Sequence, residues 1–280
     1  MATLTIPGAF VWRRLQSLMG LWLVFFIVEH LVTNSQAALW LSEGGQGFVR
    51  SVNQLHNLPY LEAIELTLIG VPILIHLVWG IQYALNAKMN HRKSDGSVPS
   101  IQTPRNRAYS WQRITSWILL VCLIGHIVKF RFLEYPEEVK IHHNSYYTVK
   151  ITLDGKLDQV AEKLKVTLVG PKRASVEDFK MLNTSMLSEQ EVLAVAPDFG
   201  TATILSVRNT FKSPIYIGIY TIFVLAACFH AFNGFWTFLI TWGLVLKMAA
   251  QRTWSIVAVC LMVLFIFLGL AAVWGSYLVQ

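Results

Sequence analysis

Four histidines are the residues of this chain best able to do chemistry, because each lies within a long apolar stretch. They occur one to a stretch, in four of five such stretches: His30, His76, His126 and His230. An ionisable side chain is costly in hydrocarbon, so an intramembrane histidine is by default interpreted as functional. Four of them, each on its own segment, suggest metal ligands arranged in pairs.

The composition of the 280-residue chain is that of a membrane protein. Hydrophobic residues make up 54% of it and charged residues 14%, a balance that excludes an ordinary soluble domain. Five stretches are long enough to cross ~30 Å of hydrocarbon as helices. The predicted helices span Ser17–Gln36, Glu62–Leu85, Ile114–Phe132, Tyr216–Gly243 and Trp254–Leu278. We expect the first to be retained, because a cleaved signal segment is shorter and would not usually carry Glu29 and His30.

Basic residues near the helix ends predict the orientation, because such residues stay on the cytoplasmic side. They lie before the first helix, between the second and third, and before the fifth: Arg13, Arg14, Lys88, Arg92, Lys93, Arg105, Arg107, Arg113, Lys247 and Arg252. The loop after the first helix and the C-terminal tail carry almost no charge. The N-terminus is therefore predicted to be cytoplasmic. The net charge of +7 is mostly a topology signal and requires no nucleic acid.

A long polar segment separates the third and fourth apolar helices. Short strands are predicted at Tyr146–Leu153 and Lys165–Val169, with a helical turn at Leu157–Leu164 between them. By topology this segment is predicted to be extracytoplasmic. Two adjacent histidines in it, His142 and His143, are interpreted as solvated loop residues, with weak metal binding as the alternative, and no catalytic constellation is evident.

The predicted fold is therefore an all-α membrane protein with five transmembrane helices in a bundle. Residues 1–133 contain the first three helices, and residues 213–280 contain the last two. Residues 134–212 form a small α+β extramembrane insertion between helices 3 and 4.

Depth in the membrane sorts the four histidines into two pairs. With the N-terminus inside, His30 and His126 lie on outward-running helices, each ~20 Å from the cytoplasmic face. His76 and His230 lie on inward-running helices, each ~20 Å from the outer face. We call His30 with His126 the outer pair and His76 with His230 the inner pair.

Two histidines at one depth on facing helices can supply both axial nitrogens of a heme iron. Two such pairs predict two stacked hemes, and the lack of a C-x-x-C-H motif favours b-type heme, which is held non-covalently. Gly80 and Gly234 each follow an inner-pair histidine by four residues, on the same helix face. A missing side chain there leaves room for a porphyrin, although glycines also allow close helix packing. A di-metal enzyme is disfavoured, because its histidine boxes place ligands a few residues apart.

Several stretches resemble the single-chain di-heme cytochrome b subunit that anchors succinate dehydrogenases and fumarate reductases in the membrane. They occur in the family's order with all four ligand positions occupied: Arg14–Gly20, Glu29–Ser35, Leu61-Glu62 with His76, Gln112–Thr115 with His126, His230–Trp236 and Thr241–Gly243. The resemblance spans nearly all of the membrane part. The family usually has a short connection in place of residues 134–212.

The resemblance implies an electron conduit in the bacterial cytoplasmic membrane. A flavoprotein subunit carrying FAD and an iron–sulfur subunit would dock on the cytoplasmic face. Electrons from succinate would pass through the inner and outer hemes to a quinone, commonly menaquinone, and the chain itself would not act on succinate. The alternative function is a di-heme cytochrome b of another dehydrogenase, such as a hydrogenase or formate dehydrogenase. A non-redox transporter is a more distant alternative.

Polar residues near the helix ends are candidates for further roles. Heme propionates are anionic and need donors at the membrane surface. The candidate donors are Arg14, Gln16, Ser17, Trp111 and Arg113, for which interfacial anchoring is the alternative. Glu29 is a candidate for proton relay near the outer heme or quinone, with a pair to a neighbouring polar group as the alternative. Glu62 and Glu65 are candidates for quinone protonation, although the helix dipole also favours acids at a helix N-terminus. Some family members have a glutamate two residues before the fourth ligand, where this chain has Cys228.

Overall fold

Five long apolar helices dominate the computed structural model, which describes residues 6–38, 43–87, 101, 103–141, 143–171, 182 and 187–278. They are α1 (Gly8–Ser35), α3 (Leu61–Asn86), α4 (Pro104–Leu133), α7 (Pro214–Thr241) and α8 (Met248–Leu278). At 1.5 Å per residue even the shortest is ~39 Å long, which exceeds the ~30 Å of membrane hydrocarbon. The chain is thus a multi-pass membrane protein, as predicted. Lys88, Arg92, Lys93 and His142 lie outside the described residues.

Two of these helices begin well before the apolar stretches that predicted them. Helix α1 begins at Gly8 rather than Ser17, and α4 begins at Pro104 rather than Ile114. The added turns carry Arg and Trp side chains, which suit the membrane interface. Hydropathy detects only the part of a helix within hydrocarbon, so it misses these polar extensions. Proline at the first turn of α4 is well placed, because its missing N–H would be unpaired there in any case.

Helix α3 contains a π-helical turn at Leu66–Gly70, directly before Pro72. Proline has no N–H and its ring clashes with the carbonyl four residues earlier, which here belongs to Leu68. That carbonyl would have no donor in the helix. The indole Nε1 of Trp22, on α1, donates to it at 2.6 Å. A hydrogen bond between two helices therefore compensates for a break within one of them.

Replacing Trp22 by Phe should destabilise the α1–α3 contact, because the Leu68 carbonyl would lose its donor in a medium without water. We expect the free energy of unfolding to fall by about 0.5–2 kcal/mol. The matched control is Trp117→Phe, since Trp117 is also largely exposed and has no hydrogen-bond partner among the described residues. Denaturation in detergent measures both variants. Equal losses in the two would contradict this role of Trp22.

Contacts divide the described residues into two compact units. The first lies within residues 1–30, 60–121 and 222–267, and the second within residues 31–59, 122–221 and 268–280. The second unit contains the polar insertion together with the loop that follows α1.

The insertion folds around a four-stranded antiparallel sheet in the order β1-β2-β4-β3. Its elements are β1 (Glu137–Ile141), β2 (Asn144–Thr152), α5 (Leu157–Leu164), β3 (Thr167–Val169), β4 (Glu191–Ala196) and α6 (Phe199–Thr210). Ile151, Val192 and Leu205 are among its most buried side chains. The predicted strands and the helix at Leu157–Leu164 are confirmed. Strands β1 and β4 and helix α6 were not predicted, because β1 and β4 depend on pairing with β2, and α6 packs against β2 and the helix that follows α1.

The loop after α1 forms a 3₁₀ turn at Glu43–Gly45 and helix α2 (Gln46–His56), which packs on α6. The Asn53 side chain accepts from the N–H of Gly200 at 2.7 Å and donates to Asp198 at 2.7 Å. A Cβ on Gly200 would come within 2.5 Å of the Val49 carbonyl oxygen, so only glycine permits this approach. The loop and the insertion therefore form one extramembrane module.

A buried ion pair closes the module beside α6. Arg208 donates two hydrogen bonds to the Asp154 carboxylate, at 2.7 and 2.8 Å, and Lys212 lies 2.6 Å from the same group. Burial by itself raises the pKa of Asp154, but the hydrogen bonds from Arg208 and Lys212 outweigh it and hold that pKa well below its usual range. This carboxylate therefore contributes stability above its ordinary pKa, and the contribution is lost as pH falls through the lowered value.

Candidate metal centre

The inner pair meets in the first compact unit, where α3 carries His76 and α7 carries His230. The centroids of the two rings are 6.1 Å apart, and their planes are at 83°. Imidazole nitrogens bind transition metals at ~2 Å, so two rings sharing one metal have centroids ~6 Å apart. The observed separation therefore suits two axial ligands of a single metal ion.

Backbone carbonyls set the tautomer of both rings. The Nδ1 atom of His76 is 3.0 Å from the carbonyl oxygen of Gln16, and that of His230 is 3.2 Å from the carbonyl oxygen of Gln112. A carbonyl can only accept, so each Nδ1 carries the proton and each Nε2 presents a lone pair. Neither Nε2 has a hydrogen-bond partner among the described residues. A histidine held through Nδ1–H with Nε2 open is the usual state of a metal ligand.

Gln112 holds His230 with its side chain as well as its backbone. Its amide nitrogen donates to the His230 carbonyl oxygen at 2.9 Å, and its amide oxygen accepts from the Asn233 side chain at 2.7 Å. The Thr115 hydroxyl lies 3.4 Å from Nδ1 of the same histidine. These contacts fix the rotation of α7 against α4 at the height of the ligand.

Gln16 and Gln112 occupy equivalent places in the two halves of this site. A Cβ on Gly80 would lie 3.5 Å from the amide nitrogen of Gln16, and a Cβ on Gly234 would lie 3.5 Å from that of Gln112. Each glycine thus lies beside a glutamine amide. Their predicted role of leaving room for a porphyrin remains a prediction.

A repeated spacing in the sequence matches this symmetry. His30 follows Gln16 by fourteen residues, and His126 follows Gln112 by the same number. In the partner helices, a glycine follows each inner-pair histidine by four residues. This repeat could have indicated that Gln112 contacts a histidine. The sequence analysis instead included Gln112 only in a stretch that resembles the cytochrome b subunits.

Gly20 is a second residue to which sequence reasoning gave no role. A Cβ at this position would come within 2.8 Å of Cε1 and 3.0 Å of Nδ1 of His76. The absent side chain on α1 is therefore what lets the His76 ring lie against that helix and reach the Gln16 carbonyl.

The outer-pair histidines lie in different surroundings. His30 on α1 stacks with Phe26, with centroids 5.4 Å apart. The Nδ1 atom of His126 on α4 is 3.1 Å from the hydroxyl of Tyr220, and the His126 ring contacts Phe130 edge-on. The pairing of His30 with His126 remains a prediction.

The acidic candidates lie on two helices. Glu29 is exposed on α1, Glu62 is exposed at the start of α3, and Glu65 is partly buried one turn later. Their predicted part in protonation is not tested by these positions.

The propionate candidates on α1 lie together at the end of α7. Arg14 donates to the Thr241 carbonyl oxygen and lies 5.3 Å from the ring of Trp242, whose indole donates to Ser17 at 3.2 Å. On α4, Trp111 is exposed, and Arg113 is buried against Tyr109, 4.8 Å from the centre of that ring. Binding of propionates by these residues and by Gln16 stays a prediction.

The fold defines a multi-pass membrane protein, and its first compact unit brings two histidine rings from different helices together. The chain is 25% identical over 267 residues to the succinate dehydrogenase cytochrome b558 subunit of Bacillus subtilis (strain 168), across 95% of this chain and 96% of that protein. The resemblance found in the sequence is confirmed by this similarity. No protein-family model matches the chain, and no solved structure matches it.

Replacing Gly20 by Ala should disturb the inner pair, because the new methyl group would displace the His76 ring. We expect a loss of about 1–3 kcal/mol in stability and a lower heme content in the purified protein. Gly218→Ala is the matched control, since Gly218 is also in a membrane helix and a Cβ there meets nothing within 4 Å. Thermal denaturation and heme absorbance measure the two effects. Full heme content in Gly20→Ala would contradict the assigned role.

Proposed function

We propose that this chain is the cytochrome b membrane subunit of a succinate dehydrogenase, with two b hemes held by the inner and outer histidine pairs. The observation that carries the proposal is the inner pair, whose rings lie 6.1 Å apart and whose Nδ1 atoms each lie against a backbone carbonyl oxygen, which leaves Nε2 free to bind a metal. The similarity to a subunit of that name over nearly the whole chain supports the choice of enzyme.

The residues of this chain fit the group that the proposal requires. His76 and His230 would hold the inner heme iron, and His30 and His126 the outer one. Heme, when bound, supplies reversible one-electron transfer. The backbone carbonyls of Gln16 and Gln112 keep a proton on Nδ1 of the inner ligands, which leaves Nε2 unprotonated and makes it a stronger donor to iron.

The proposed orientation has the N-terminus in the cytoplasm and the extramembrane module outside. The loop after α1 and the insertion pack together, as Asn53 and Gly200 show, so both lie on one side of the membrane. Basic residues cluster near the opposite helix ends, and such residues favour the cytoplasm. The flavoprotein and iron–sulfur subunits would then bind at the cytoplasmic end.

The proposed electron path runs from the iron–sulfur subunit through the inner and then the outer histidine pair to a quinone in the lipid bilayer. Menaquinone is the proposed quinone. Glu29, Glu62 and Glu65 are proposed to supply protons at the quinone end. The succinate chemistry itself belongs to the flavoprotein partner.

Substituting the histidines singly should remove the hemes one at a time. We expect His76→Ala or His230→Ala to remove one heme and His30→Ala or His126→Ala to remove the other. His143→Ala is the control, because His143 is exposed in the module and should leave both hemes in place. Heme per chain and reduced-minus-oxidised spectra measure the outcome. Loss of the same heme in His30→Ala and His76→Ala would show that the pairing is wrong.

Purification of the complex from native membranes tests the choice of partner enzyme. We expect a flavoprotein and an iron–sulfur protein to copurify with this chain, together with succinate-dependent reduction of its hemes. Copurification with a hydrogenase or formate dehydrogenase, without succinate activity, would overturn the succinate dehydrogenase assignment while leaving a di-heme cytochrome. A spectrum without b-type absorption would overturn the cytochrome assignment itself.

A further inference from the structure

Tyr220, on α7, contacts Nδ1 of the candidate iron ligand His126 through its hydroxyl. Its oxygen lies 3.1 Å from Nδ1 of His126. Nδ1 of His76 and of His230 instead lies against a backbone carbonyl, which accepts hydrogen bonds and cannot donate them, with the Thr115 hydroxyl also 3.4 Å from that of His230. A hydroxyl can donate or accept a hydrogen bond, so the Tyr220 oxygen can accept one from Nδ1 of His126. The orientation of the His126 ring therefore depends on where the Tyr220 side chain lies.

Aromatic contacts fix that position. The Tyr220 ring lies edge-on to Phe211, with centroids 5.2 Å apart at 89°, and to Phe130 at 6.3 Å and 79°. Phe130 is on α4, the helix that carries His126. Phe211 directly follows α6 and is buried within the second compact unit. Tyr220 is therefore held between a membrane helix and the extramembrane module.

A polar network ties the module to the end of the same membrane helix. Lys129, which is buried, forms an ion pair with Glu134. Glu134 also accepts hydrogen bonds from Ser206 at 3.3 Å and from Thr210 at 3.1 Å, both on α6. Thr210 immediately precedes Phe211. The network thus sets where α6 ends and so where Phe211 meets the Tyr220 ring.

We propose that Tyr220 is a positioning residue for His126, and that one function of the extramembrane module is to hold Tyr220 in place. The inference rests on the proposed function, since it requires His126 to bind a heme iron through Nε2. In that state Nδ1 of His126 carries a proton and donates it to the Tyr220 oxygen. This hydrogen bond orients the ring and raises the electron density at Nε2, as partners of metal-bound histidines do.

The consequence is a heme whose reduction potential depends on Tyr220. Loss of the acceptor makes His126 a weaker electron donor, which destabilises the ferric more than the ferrous state and raises the potential. In Tyr220→Phe we expect about a tenfold change in the oxidation equilibrium of one heme, which equals 59 mV for a one-electron couple. The other heme, whose candidate ligands His76 and His230 do not bond Tyr220, should keep its potential.

The experiment is a spectroscopic redox titration of the purified complex, with electron paramagnetic resonance of the ferric hemes to detect rotation of the ligand rings. Tyr216→Phe is the matched control, because it removes a hydroxyl one turn earlier on α7 and keeps the aromatic ring that Lys129 contacts at 4.3 Å. Phe211→Leu tests the module and should shift the same heme in the same direction by less. His126→Ala identifies which heme is concerned.

The outcomes separate this inference from the proposed function. If His126→Ala removes one heme while Tyr220→Phe leaves the potential and resonance of that heme unchanged, the role of Tyr220 is overturned and the cytochrome assignment stands. If His126→Ala removes no heme, the ligand assignment itself fails. Loss of both hemes in Tyr220→Phe would show a folding role and also overturn the proposal. An unshifted heme in Phe211→Leu would overturn the part given to the module.

Discussion

Polar groups within the hydrocarbon of a membrane have no water to bond, and the organisation of this protein depends on that constraint. Each polar group placed there needs a partner from the protein. The Leu68 carbonyl, freed by Pro72, is met by the Trp22 indole. The imidazole Nδ1 atoms of His76 and His230 lie against backbone carbonyls of other helices. Hydrogen bonds of this kind join helices whose apolar side chains alone would not distinguish one neighbour from another.

The same constraint accounts for the two-fold character of the inner site. Helices α1 and α3 form one half of the site, and α4 and α7 form the other. In each half a glutamine backbone carbonyl contacts the histidine, and the side chain of that glutamine lies beside a glycine. The halves are not identical. Gln112 also binds Asn233 and the His230 carbonyl oxygen, whereas Gly20 makes room for His76. The two equivalent supports bring the histidine rings to 6.1 Å, the separation expected for two ligands of one metal ion.

The extramembrane module obeys different physics, because water is available to its surface. It combines a four-stranded sheet, a buried Arg208–Asp154 ion pair and a close α2–α6 contact at Gly200. Its connection to the membrane helices runs through Glu134 and Phe211. Within the second compact unit, the insertion is therefore held against the end of α4 and the start of α7 by specific contacts.

The sequence by itself determined the membrane class, the number of apolar helices, the four histidines and the resemblance to a cytochrome b subunit, because hydropathy and residue type are local properties. The tertiary structure alone decided which atoms hold those histidines. Every residue has a backbone carbonyl, so the amino-acid sequence does not indicate that the carbonyls of Gln16 and Gln112 accept hydrogen bonds from histidine rings. The contacts of Gly20 and Tyr220 depend on how α1 and α7 are rotated about their axes. That rotation is difficult to predict from the sequence of a helix that is apolar on most faces.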